Sequence, residues 1–109
     1  KLQYGIIYAA MEVQFEADKF DRLETDPKYT AEFPPSLISA YRMRLQMIRA
    51  AASQNDLHAM KCLAFEKLDG NRSHQHALRL TDESYLVVEL RGQSQEKVFW
   101  IVGIESYAK

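Results

Sequence analysis

One cysteine, Cys62, stands in a chain of 109 residues. No intramolecular disulfide can form, and no zinc site can be built from several thiolates. Only 4 glycines and 3 prolines interrupt the chain, and no glycine falls in a phosphate-cradling loop pattern. No apolar run approaches the ~20 residues that a membrane-spanning helix needs. Charge of one sign is missing too: 14 basic and 15 acidic side chains give a net charge of −1, so bulk electrostatics do not drive nucleic-acid binding. What is present is the composition of a folded domain, 47% hydrophobic and 27% charged, which fits neither disorder nor collagen nor coiled coil. The length is that of one domain. The expectation is a small soluble domain in the cytoplasm, with its function carried by local motifs.

Residues 1–10 read KLQYGIIYAA and precede Met11. They faintly resemble a secretory signal, but the apolar part, Tyr4 to Tyr8, is short and holds Gly5. The expectation is a leader or added extension over 1–10, with the natural start at Met11 and one domain over 11–109. Ile6-Ile7-Tyr8 could also extend a strand.

Charge is segregated along the chain. Residues 1–35 carry four basic and seven acidic side chains. Residues 36–79 carry Arg42, Arg44, Arg49, Lys61, Lys67, Arg72 and Arg79 against only Asp56, Glu66 and Asp69. Residues 80–109 turn acidic again. A phosphate backbone responds to local field, so this basic middle third is either a surface for such a backbone or a solvated helix face with ordinary surface charge.

Periodicity supplies the elements. Residues 12–15 alternate as a half-buried strand does. Residues 18–25 form a short helix that Asp26-Pro27 ends, because the residue before proline avoids the helical region. Phe33-Pro34-Pro35-Ser36 breaks the chain, and proline suits the first turn of the next helix. Leu37, Tyr41, Leu45, Ile48 and Ala52 recur at helical spacing, predicting an amphipathic helix over 36–52 with Arg42, Gln46 and Arg49 on another face. Asp56 is the expected N-cap of a short helix through Met60. Cys62, among apolar neighbours, is expected in the core. Asp69-Gly70-Asn71 has turn chemistry. Strands are expected over 76–80, 85–90 and 98–102, the last ending at Gly103-Ile104, with turns at 81–83 and 92–95. The expected fold is α+β: an antiparallel sheet, made of an N-terminal strand and a C-terminal three-stranded meander, packed against two or three helices.

Phe65 to His76 carries the most chemistry. Lys67 and Arg72 flank the turn that enters the meander, and two cations near a concave sheet suit a phosphate-binding surface. His74 and His76, two apart on a strand, would share a face and could offer imidazoles to a metal or a proton. No carboxylate or thiolate at helpful spacing completes a metal site.

The run FEKLDGNRSHQHALRL resembles the FEKLKGxRxxQxSxRL segment of HigB-type toxins, in the RelE/ParE superfamily of toxin–antitoxin systems. The resemblance extends backward through 41–51 and 56–63, and forward through Leu80-Thr81-Asp82, Val87-Val88-Glu89 and Val102-Gly103-Ile104-Glu105. In all it covers about residues 11–107. It implies a RelE-like fold and a type II toxin that inhibits translation by cutting mRNA in the ribosomal A site. It also implies a role in plasmid maintenance, a HigA-like helix-turn-helix antitoxin as partner, a toxin–antitoxin hetero-oligomer, and cleavage without metal or other cofactor. Lys67, Arg72 and Tyr107 match catalytic positions and Arg79 a basic position on the next strand, while His74 and His76 are the nearby candidates for RNA contact or proton transfer. Two departures stand out. Ser84-Tyr85 replaces a Trp-Arg or Tyr-Arg pair, and Ser106-Tyr107-Ala108 replaces Asp-Tyr-His. The alternatives are a toxin-like binder of an antitoxin without catalysis, and a ParE-like gyrase inhibitor.

Overall fold

The computed structural model describes residues 11–92 and 98–107; the expected extension over 1–10, most of the turn at 92–95, and Ala108 lie outside the described residues. Alternation over residues 12–15 produces β1 (Glu12–Phe15), and α1 (Asp18–Thr25) follows, ending before Pro27 as the proline requires. The long amphipathic helix is α2 (Pro35–Ala50), with Pro35 in its first turn and Leu37, Tyr41, Leu45 and Ile48 buried along one stripe. It stops two residues before the predicted end, so Ala51 is buried and Ala52 is not. The short helix α3 covers Gln54–Ala59. Ser53, not Asp56, holds its N-cap position. Asp56 sits inside the first turn and its carboxylate accepts the Ala52 backbone N–H at 2.8 Å. The acid thus serves the helix start from within, in the manner of the acidic half of a capping box.

Cys62 also departs from expectation. It lies on a 3₁₀ turn over Lys61–Leu63 and is exposed, while the next residue, Leu63, is fully buried. A tight turn places only one of its side chains inward, and the branched aliphatic takes that place. Ala64 then adopts a left-handed backbone, φ 47°, to redirect the chain into the sheet.

Four further strands follow: β2 (Glu66–Lys67), β3 (Gln75–Arg79), β4 (Ser84–Arg91) and β5 (Val98–Ser106). The five form one sheet in the order β1-β5-β4-β3-β2. The meander β3–β4–β5 is antiparallel as predicted, but β1 pairs with β5 in parallel, making the sheet mixed. Nearly the whole chain separates β1 from β5, so no tight hairpin dictates their relative direction. β5 runs past Gly103 to Ser106, further than predicted, because one residue is accommodated as an irregularity between the Gly103–Val87 and Ile101–Val88 pairs.

The helices cover one face of this sheet. Val13, Leu78, Leu86, Val88, Phe99 and Ile101 from the strands meet Phe20, Leu23, Tyr41, Leu45, Ile48, Leu57 and Leu63 in a single core. Side chains alternate across a strand, so the intervening residues face away from the helices. Gln75, Arg79, Tyr85, Glu89, Trp100 and Glu105 belong to that open face.

Arg42 and Arg49, expected on a face of α2 away from the core, tie elements together, and so does Arg44. Arg42 donates to the Leu23 and Asp26 carbonyls at the end of α1, at 2.7 and 3.1 Å, where helix carbonyls lack partners and the dipole favours a cation. Arg49 forms a two-pronged pair with Glu24 of α1, at 2.9 and 2.8 Å. Arg44 donates to the Arg79 carbonyl on β3 at 2.8 Å. Inside the core, the fully buried Tyr41 donates its hydroxyl to the Phe20 carbonyl at 2.7 Å, and burial pushes the phenol well above its usual ionisation range. Tyr41→Phe keeps the ring but removes that donor, and should cost about 1–2 kcal/mol. Urea unfolding checks this: the midpoint should fall while the slope stays unchanged.

Candidate functional site on the open sheet face

Register builds the site in rows across the strands. Gln75 of β3 lies opposite Glu89 of β4, which lies opposite Trp100 of β5. Two residues along, the row is Ala77, Val87 and Gly103; two further, it is Arg79, Tyr85 and Glu105. The outer rows are polar or aromatic and the middle row is small. Val87 is fully buried although it faces away from the helices, so the longer side chains around it exclude water.

Arg72 reaches this face from the 3₁₀ turn Gly70–Arg72 that precedes β3. Its Nε donates to the Gln75 amide oxygen at 3.0 Å. Its two terminal nitrogens grip Glu105, Nη1 to Oε1 at 3.1 Å and Nη2 to Oε2 at 2.8 Å. One guanidinium therefore joins the two outer rows, and the small middle row leaves room for it. Tyr85 Oη also donates to Glu105 Oε1, at 2.8 Å. The Tyr107 ring lies 4.9 Å from the Tyr85 ring, its backbone N–H bonded to the Glu83 carbonyl at 3.0 Å. The hydrogen bonds from Arg72 hold the Glu105 carboxyl below its usual range, with Tyr85 adding to the effect. The same bond to Glu105 raises the Tyr85 phenol and the Arg72 guanidinium. At neutral pH the cluster holds a carboxylate, a cation and a protonated phenol.

The network continues across the face. Gln75 Nε2 donates to Glu89 at 2.8 Å. Arg91 Nε donates to Glu89 at 2.8 Å and Arg91 Nη2 to Glu16 at 2.9 Å, while the guanidinium stacks 4.3 Å above the Trp100 ring. His74 Nε2 stands 3.4 Å from Glu89. The bond from Gln75, with help from Arg91, holds Glu89 below the usual carboxylate range.

The sequence-predicted residues divide over this geometry. Arg72, Arg79, Tyr107 and His74 gather on or beside the open face. Lys67 and His76 do not. They are register partners, and the His76 ring stacks on the core residue Phe65 at 4.7 Å, on the helix side. Lys67 shares that side by register, whereas Arg72 reaches the open face. His74 and His76 part for a similar reason: β3 begins only at Gln75, and no strand holds the two rings on one face. Among the described residues no group of three or more His, Cys, Asp or Glu could hold a metal ion. Lys67 and Arg79 have no side-chain hydrogen bond or ion pair among the described residues.

Glu105, Tyr85 and Gln75 carried no role in the sequence reading. The signal was there for two of them. Tyr85 precedes Leu86 and Glu105 follows Ile104, so each polar group sits beside a core residue, on the outward face of its strand. Their joint attachment to Arg72 is a tertiary fact, because 33 residues separate Arg72 from Glu105.

No family profile matches the sequence, and no curated protein does. Among solved structures the chain is similar to a YoeB/ParE toxin from Agrobacterium tumefaciens, with a TM-score of 0.55 and 13% identity over 90% of this chain and 100% of the other. The likeness is one of fold.

The Glu105 environment sets a pH signature. A carboxyl held below its unfolded value by Arg72 favours the folded state above the ordinary carboxylate range, and that contribution is lost as pH falls through the lowered folded value. The pair is well exposed, so the effect on stability is small. Carboxyl NMR titration should place Glu105 below an ordinary glutamate in the unaltered protein and move it upward in Arg72→Gln.

Proposed function

We propose that this protein is the toxin of a type II toxin–antitoxin system in the RelE/ParE superfamily, and that it acts as a HigB-type, ribosome-dependent mRNA endonuclease. One observation carries the reading above the others: a single uncovered sheet face brings Arg72, Arg79, Tyr85, Glu105 and Tyr107 together on a fold similar to that of a YoeB/ParE toxin. Cleavage of RNA without a metal needs a group to bind phosphate charge, groups that move protons, and a surface that orients the strand. Arg79, free of side-chain partners among the described residues, takes a backbone phosphate. Arg72 offsets charge on the scissile phosphate. Tyr107, exposed and edged by Tyr85, stacks against a base. His74 adds a contact at the rim. Lys67 and His76, on the other side of the sheet edge, serve as a second contact with the ribosomal RNA.

The partner that neutralises such a toxin is a HigA-like helix-turn-helix antitoxin. With Arg42, Arg44 and Arg49 engaged inside the molecule, α2 offers outward a nearly uncharged stripe of Ser36, Ser39, Met43, Gln46 and Ala50, with Met43 57% exposed. An antitoxin helix with an apolar face suits that stripe.

One feature favours a second reading, a toxin-like binder without catalysis: Arg72 is already neutralised by Glu105. Induction in bacterial cells with mapping of mRNA 5′ ends separates the two. The endonuclease gives growth arrest and cuts within translated mRNA. Arg72→Ala should weaken cutting by roughly 10²-fold or more, and Arg79→Ala should lower RNA affinity and its salt dependence. Ribosome or antitoxin binding without cuts favours the binder, and DNA damage at gyrase without RNA cleavage favours a ParE-like inhibitor.

A further inference from the structure

Glu105 is a buffered carboxylate in the middle of the proposed RNA surface. It is anchored by one guanidinium and one phenol and needed by neither for burial, since Arg72, Glu105 and Tyr85 all remain partly open to solvent. A carboxylate here repels phosphate. Its retention beside Arg72 therefore asks for a reason, and the geometry supplies one. A two-pronged guanidinium–carboxylate pair has the same fork that a phosphate offers, because both anions present two oxygens to two parallel N–H donors. Glu105 thus occupies the seat that a scissile phosphate would take on Arg72.

We infer that Glu105 is the general base of the RNA-cleaving reaction, kept idle by Arg72 until a substrate phosphate displaces it, with the Tyr85 hydroxyl as its proton-relay partner. The inference rests on the endonuclease reading above. When the phosphate takes the Arg72 fork, Glu105 loses its strongest stabilising partner and becomes more basic where a nucleophile must be deprotonated. The ribose 2′-hydroxyl gives its proton to a Glu105 oxygen as its oxygen bonds to phosphorus. The bond from phosphorus to the 5′-oxygen breaks, and that oxygen takes the proton of the Tyr85 hydroxyl. Tyr85 regains a proton from Glu105 across their 2.8 Å hydrogen bond. One proton has moved from the 2′- to the 5′-oxygen, leaving a 2′,3′-cyclic phosphate, and no other reactant is needed. The histidine absent at position 108 is then not required for proton transfer, and neither is an acid at Ser106.

The test uses the full chain with ribosomes programmed by mRNA, and, separately, a single-stranded oligonucleotide fully 2′-O-methylated so that it binds but cannot be cut. Glu105→Gln keeps the size and a hydrogen bond to Arg72 but removes the base. Cleavage should fall by about 10²–10⁴-fold, while affinity for the methylated oligonucleotide holds or tightens because a repelling charge has gone. Added formate should partly restore cutting by Glu105→Ala, a rescue that a purely structural role would not give. If Glu105→Gln cuts as the unaltered protein does, Glu105 is not the base and the endonuclease reading stands without it. If cutting and oligonucleotide affinity fall together, Glu105 only organises Arg72 and the inference is overturned. If the unaltered protein cuts nothing, both readings fail.

Discussion

Among the described residues, helices lie against one side of this sheet and none against the other, and the alternation of side chains along β3, β4 and β5 converts that asymmetry into two surfaces of opposite character. Inward positions supply Leu78, Leu86, Val88, Phe99 and Ile101 to a core closed by α1, α2 and α3. Outward positions surround the buried Val87 and hold one another through charge, ring contacts and hydrogen bonds. The chain from Tyr85 through Glu105, Arg72, Gln75 and Glu89 to Arg91 and Glu16 is continuous. The surface proposed for RNA is therefore an ordered array, with the guanidinium of Arg72 fixed by three donors to two partners.

The basic middle third of the sequence resolves into two populations of cation. Arg42, Arg44 and Arg49 act as ties: they close the carbonyl end of α1, pair with Glu24, and fasten α2 to β3. They contribute to architecture, and of the three only Arg49 has its charge offset by a carboxylate, since Arg42 and Arg44 donate to neutral carbonyls. Arg79 and Lys67 keep their charge available, on different sides of the sheet edge. A cluster of like charges in one stretch of sequence thus produced no single basic patch. On the open face Arg72 and Arg91 are offset by the held-down carboxylates Glu105 and Glu89, while Arg79 keeps its charge unpaired among the described residues.

Much of the fold was legible because its signals are local. The stripe Leu37, Tyr41, Leu45, Ile48 gave α2, Asp26-Pro27 gave the end of α1, and apolar runs gave β4 and β5. The misses have two causes: at Asp56 and Cys62 a close neighbour in the chain took the expected position, and at β1 a strand distant in sequence decided the outcome. Asp56 looks like a cap until the chain turn at Ser53 takes that place. Cys62 looks buried until Leu63 claims the one inward position of its turn. The direction of β1 depends on β5, which no local pattern encodes. At the site, residue types were legible and partnerships were not: Arg72 was visible as a cation, whereas Glu105, which neutralises it, lies on another strand.

β5 is the last of the five strands in chain order, yet it lies between β1 and β4 in space. The sheet therefore lacks the strand that joins its β1 edge to β4, β3 and β2 until β5 arrives. During synthesis β1 has no hydrogen-bonded neighbour, and the open face lacks Glu105, Trp100 and the ring of Tyr107. Such a late, long-range closure makes folding of the sheet wait until β5 has been synthesised. Until then the outward side of the meander is an unfinished surface, with Arg72 still lacking the carboxylate it will grip.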